Sequence, residues 1–213
     1  NFVSSDLSSF YLDIAKDVVY IEGHNQLHRR AMQTVMYDTL VSLLKLTTPI
    51  LPHTTDELWV FLTQETEESV QLTDFPEATT HESFEALRTK YQQLMLVRDD
   101  VLKALEEARN AKTIGKSLEA KVTVYVNKEL LEAFDTTKID FAQFFIVSDF
   151  TLAGLKEEAP SEALTLDVAS VVVVKAQGEK CERCWTISSK VGENDKHPTL
   201  CPRCAEVVEK YYV

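Results

Sequence analysis

Outside one corner near its end the chain has no cysteine: all four lie between positions 181 and 204 of 213 residues. No apolar run approaches the roughly 20 residues that span a bilayer, and no signal peptide opens the sequence. Glycine and proline are scarce, at five and six residues, and no internal repeat or low-complexity tract is present, which excludes a largely disordered chain. Positive charge is in deficit. With 22 Lys and Arg against 34 Asp and Glu, the net charge of −12 argues against a protein that coats nucleic acid over its whole surface.

Catalytic signatures are missing as well. "TIGKS" ends like a phosphate-binding loop, but Asn110 stands where that loop needs its first glycine. "HNQLH" has the two-histidine spacing of a zinc protease helix, with Asn25 in place of the glutamate base. No nucleophile with a matched base can be named, so no catalytic residue is assigned. The acidic pairs Asp99-Asp100 and Glu106-Glu107 read as a solvated helix face, and Trp59 with the Met and aromatic stripes as core.

What is present is the composition of a folded protein, 45% hydrophobic and 26% charged, long enough for one large domain or two to three small ones. The chain starts Asn1-Phe2-Val3, inside what already reads as structured sequence, so a fragment of a longer, soluble, cytosolic protein is expected. Three regions follow one another. In residues 1–115, Leu7, Phe10, Tyr11, Ile14, Val18 and Ile21 repeat at helical spacing behind Asp6 as N-cap. Met32, Met36, Leu40, Leu43 and Leu44 form a second stripe that stops before Pro49. Thr54 and Glu57 make a capping box for a third helix, and Phe84 to Ala108 keep the period for about seven turns. In residues 116–177, "AKVTVYV", "FFIVSDFTL" and "VASVVVV" read as strands, with "NKELLEAF" as a helix between the first two. Residues 178–213 hold the cysteines. The fold expected is mainly α: a helical bundle, then a small α/β unit, then a four-cysteine zinc ribbon or knuckle.

The cysteine spacing is the strongest signal in the chain. Cys181-x2-Cys184 and Cys201-x2-Cys204, sixteen residues apart, fall within the spacing of a four-thiolate zinc site. Two disulfides are the alternative, disfavoured in a chain without an export signal. These 36 residues carry too few apolar side chains to fold by burial alone. One structural zinc supplies the deficit, roughly 10 to 16 kcal/mol in comparable modules. From Gly178 on, six basic residues balance six acidic ones, and four thiolates with Zn²⁺ carry a further charge of −2. The metal cluster therefore does not itself attract RNA. A metal knuckle fixes the backbone beside Cys184, so Arg183 and Trp185 project from a rigid scaffold, the indole as a stacking platform or, alternatively, as the module's own core.

"LTTPILPHTTDELW", "DLSSFYLDIAKD", "RRAMQTV" and "IGKSLEAKV" resemble the helical anticodon-binding domain of class I aminoacyl-tRNA synthetases for branched aliphatic amino acids. The tail "CERCW…VGENDKHPTLCPRC" narrows the resemblance to the C-terminal part of bacterial isoleucyl-tRNA synthetases. The resemblance covers essentially the whole chain. It implies a parent enzyme, an ATP-dependent isoleucine ligase, whose catalytic and editing domains lie upstream. Neither the HIGH nor the KMSKS type of signature occurs here, so this part is not expected to be an enzyme by itself. It further implies a monomer whose partner is isoleucine tRNA at the anticodon stem-loop. Arg183 and Trp185 would contact the anticodon, and Arg29, Arg30, Lys112 and Lys116 are candidates along the stem. Thr186 stands where some relatives carry histidine. Two other readings stay open: a zinc-ribbon adaptor that docks a protein through Trp185, and a nucleic-acid binder like the zinc-bearing DNA-lesion glycosylases. The latter need an N-terminal proline nucleophile, and Asn1 heads a helical region here.

Overall fold

In the computed structural model, residues 1–80, 82–134 and 138–212 are described. The chain forms two compact bodies, His24–His81 and the remainder. Among the described residues no helix is long and apolar enough to cross a membrane.

The His24–His81 body is built on α2 (Leu27–Thr47) and α3 (Pro52–Trp59), followed by a 3-10 turn at Val70–Leu72. Proline explains both boundaries: a ring at Pro49 cannot continue α2, and Pro52 occupies the first turn of α3, where its missing N–H costs nothing. That proline decides where α3 starts. The Thr54 and Glu57 capping box expected from sequence is not used, because Leu51 is the N-cap. Trp59 is core as expected, 2% exposed, with Leu44 and Val70 beside it. Its indole N–H donates to the Glu67 carbonyl at 2.9 Å. Met32 and Met36 are only half-buried.

In the larger body the expected first helix is two: a wide, π-type segment Phe2–Tyr11 running into α1 (Leu12–Ile21). Asp6 lies inside the first segment and caps nothing. The long helix α4 (Phe84–Asn110) buries Leu94, Val97, Val101, Ala104 and Leu105 at helical spacing against a four-stranded sheet. The sheet comprises β1 (Ala120–Val126), β2 (Asp149–Leu155), β3 (Leu164–Thr165) and β4 (Ala169–Lys175), in the order β2-β1-β4-β3. β1 is central, parallel to β2 and antiparallel to β4.

A parallel pair needs a crossover. Here a 3-10 segment, Lys128–Ala133, and the short α5 (Phe141–Phe145) supply it. Phe144 and Phe145 are therefore helical, and only the later part of "FFIVSDFTL" is strand. Asp140 caps α5 by accepting the Gln143 N–H, left-handed Ile146 ends it, and Phe141 and Phe145 pack on Phe150 with Phe144 edge-on to Phe145. A short apolar run does not by its pattern distinguish a buried helix from a strand.

Asp100 is the clearest departure from expectation. Far from being solvated, it is 1% exposed; its Oδ2 accepts the backbone N–H of Val168 at 2.8 Å and of Ala169 at 3.1 Å, where β4 begins. Lys103 pairs with it at 3.3 Å. One carboxylate thereby ties α4 to the sheet. The tail adds the hairpin β5 (Glu179–Lys180) and β6 (Ile187–Ser188) and the helix α6 (Pro202–Tyr211), none of which the sequence pattern marks. Gly178, at φ +115°, lies so close to the Ser188 backbone that a side chain would collide with it. Asp100→Ala orphans one buried and one part-buried donor, and urea unfolding should report a loss of about 1 to 3 kcal/mol; a loss within error would contradict this role for Asp100.

Candidate metal centre and nucleic-acid interface

The first thiol pair sits where the β5 to β6 hairpin turns. Cys181 N–H donates to the Thr186 carbonyl and Trp185 N–H to the Cys181 carbonyl, each at 2.9 Å, so the turn closes on itself. The second pair opens α6, with Cys201 as N-cap and Pro202 in the first turn. The knuckles meet: the Cys201 N–H donates to Cys181 Sγ at 3.3 Å, and the Thr186 hydroxyl lies 3.0 Å from Cys184 Sγ. Thr186 is thus turned toward sulfur.

All four sulfurs lie within 4.8 Å of one another, all are buried, and none forms a disulfide. Cys184 Sγ and Cys201 Sγ are 3.7 Å apart. Zinc–sulfur bonds of about 2.3 Å in a tetrahedron put ligands about 3.8 Å apart, so the residues fit one four-coordinate ion. The charge distribution fits as well. Hydrogen bonds from Cys201 and then Cys204 hold the Cys184 thiol far below its ordinary range. The Cys184 partner pushes Cys201 up to about 11, and Cys184 and Cys201 together push Cys204 higher still. Four sulfurs this close ionise together only around a cation. With four thiolates the shell is closed, and the metal's role is structural.

Trp185 follows the second thiol with φ +67°, a left-handed backbone unusual for a bulky side chain. It is 59% exposed, not core, and Lys180 Nζ stands 5.1 Å from its ring centre. A cleft of about 1320 Å³ opens beside it, with Tyr20, Lys121, Gln143, Lys175 and Lys190 among its walls.

Arg183 goes elsewhere. Its Nη1 donates to the Ile21 carbonyl at 2.6 Å and its Nη2 to the Tyr20 carbonyl at 3.4 Å, at the end of α1. Of the other cations expected to face RNA, Arg30 is exposed and Arg29 half-buried in the first turn of α2. Lys112 and Lys116 are exposed in the turn after α4, Lys112 with φ +58°. Arg29 and Arg30 belong to the His24–His81 body, Lys112 and Lys116 to the other. Sequence reasoning missed Lys180, Arg203 and Asp17. Arg203 had a signal: both thiol pairs read Cys-x-Arg-Cys.

Residues 1–124 match the family model of the anticodon-binding domain of tRNA ligase, and residues 178–207 match that of the zinc finger found in FPG and IleRS. The chain is 56% identical over all its 213 residues to an isoleucine–tRNA ligase of Bacillus cereus (strain AH187). It is 55% identical to one of Bacillus anthracis (strain A0248) and to isoleucine–tRNA ligase 1 of Bacillus thuringiensis subsp. konkukian (strain 97-27). It spans 23% of the length of each of these relatives. Replacing Cys201 with serine should abolish the metal site and melt the β5 to α6 tail while far-UV CD keeps the α4 helical signal; a tail that stays protected from hydrogen exchange without metal contradicts the assignment.

Proposed function

The chain belongs to the family of anticodon-binding domains of tRNA ligases, and on that premise we propose that it is the tRNA-recognition part of an isoleucine–tRNA ligase. In this reading a monomeric cytosolic parent enzyme joins isoleucine to its tRNA with ATP, using catalytic and editing domains outside these residues. Residues 1–115 lie along the anticodon stem, where Arg29, Arg30 and Lys112, with Lys116 just beyond them, face phosphates. Residues 116–177 form a junction, and residues 178–213 reach the anticodon. Cys181, Cys184, Cys201 and Cys204 hold one zinc ion, which supplies rigidity and no chemistry.

The observation that carries the reading is Trp185: an indole 59% exposed, on a backbone held by the Cys184 thiol just before it and by its own N–H bond to the Cys181 carbonyl. An exposed indole on a fixed backbone offers a flat stacking face, and a splayed anticodon base has the ring to lie on it. The −12 net charge makes a broad electrostatic footprint unfavourable, so recognition concentrates on a stacking contact and a few cations. Lys180 beside the ring adds a positive charge close to where the phosphate of a stacked nucleotide would lie.

Trp185→Ala should weaken binding of an isoleucine anticodon stem-loop by about 1 to 3 kcal/mol at unchanged zinc content, and Trp185→Phe should recover part of that. Lower stability of the tail with unaltered discrimination between native and anticodon-changed RNA would make Trp185 a packing residue instead. By the same reading the chain alone should give no isoleucine-dependent ATP–pyrophosphate exchange; exchange in a preparation free of host synthetase would contradict it.

A further inference from the structure

The two thiol pairs share a feature that metal binding does not require. Each has arginine at its third position, in Cys181-Glu182-Arg183-Cys184 and Cys201-Pro202-Arg203-Cys204. Both arginines reach the same helix. Arg183 donates to the carbonyls of Tyr20 and Ile21 at the C-terminal end of α1, and its guanidinium also lies 3.9 Å from Cys204 Sγ. That end has no basic residue of its own in the last turn, so the charge that favours unpaired helix carbonyls comes from a residue 162 positions away. Arg203 forms a two-pronged pair with Asp17, both bonds at 2.8 Å.

Asp17 and Ile21 are four residues apart and therefore lie on one face of α1. Asp17 also accepts a bond from Gln143 of α5 at 2.7 Å, which joins the same anchor to the α/β unit. Ile21 completes the contact by packing against the four buried cysteines. Each knuckle contributes one arginine, so the two reach their anchors together only when the knuckles are held at a fixed separation. That separation is what four ligands around one ion define.

We propose that Arg183 and Arg203 form a two-point clamp that docks the metal module on α1 and thereby sets the position of Trp185. They are positioning residues, and neither contacts RNA directly. The statement about RNA rests on the tRNA-binding function proposed above; the clamp itself does not.

The test uses the zinc-loaded chain and the variants Asp17→Asn, Asp17→Arg, Arg203→Asp, Arg183→Ala and the charge swap Asp17→Arg/Arg203→Asp. Asp17 is remote in sequence from the thiols, so its variants leave the metal ligands intact. Hydrogen exchange is read at the last turn of α1, zinc is counted per chain, and affinity for an isoleucine anticodon stem-loop is measured over a range of salt. The clamp requires α1 exchange about two- to fivefold faster in Asp17→Asn and Arg203→Asp, and roughly tenfold or more faster in Arg183→Ala. The charge swap should restore exchange to within about twofold. Stem-loop binding should weaken in the single variants with the salt slope unchanged. Unchanged α1 exchange together with a salt slope reduced by about one would make the arginines phosphate contacts and overturn the clamp. So would a swap that keeps its zinc and fails to restore exchange. If the wild-type chain does not bind the stem-loop, the RNA reading fails alone, and the exchange data still judge the clamp.

Discussion

Everything distinctive about the C-terminal end depends on four sulfurs held within 4.8 Å of one another. Around a divalent cation they can ionise together; without one, thiolates this close repel, and each proton lost makes the next harder to remove. The tail has two-residue strands and a single ten-residue helix, too little to enclose a core of its own. Its buried centre is the cysteines themselves, with Val191 and Leu200 against them and Ile21 brought in from α1. Metal coordination is therefore the step that converts a weakly apolar segment into a rigid one.

Rigidity there matters only if the module is seated on something that does not move. The seat is the larger body, where α4 buries a full helical face against the sheet and Asp100 fastens it to the first residues of β4. The same body carries α5, whose Gln143 reaches Asp17, and Ser148, whose hydroxyl oxygen accepts the Ile187 N–H at 2.7 Å. Helix, sheet and knuckle are thus cross-linked at several points. Trp185, in a left-handed backbone on the outer side of the knuckle, inherits that stiffness and needs little ordering to receive a flat ligand.

The parts that follow from local physics could be read in advance. The period of α4, the bounds of β1 and the thiol spacing all depend on neighbours in the sequence, and all three match the structure. The departures come where a stronger or more distant influence wins. Pro52 overrides the capping box at Thr54, and packing among Phe141, Phe144, Phe145 and Phe150 draws the first two residues of an apparent strand, Phe144 and Phe145, into α5. Asp100 sits in an acidic pair with no local mark to separate it from Asp99, because its partners are 68 and 69 residues away. Arg183 is the instructive case at the candidate site: beside an exposed tryptophan it reads as an RNA contact, and only the fold shows its partners in α1.

The central claim is that one metal ion orders the knuckles and their seat together. Zinc titration into the chelator-stripped chain, with hydrogen exchange followed simultaneously at the Trp185 amide in the knuckle and the Glu22 amide at the end of α1, tests it most directly. The account predicts that protection rises at both amides along one curve and saturates at one zinc per chain. A knuckle that becomes protected while the end of α1 stays unchanged, or curves that separate, would contradict it.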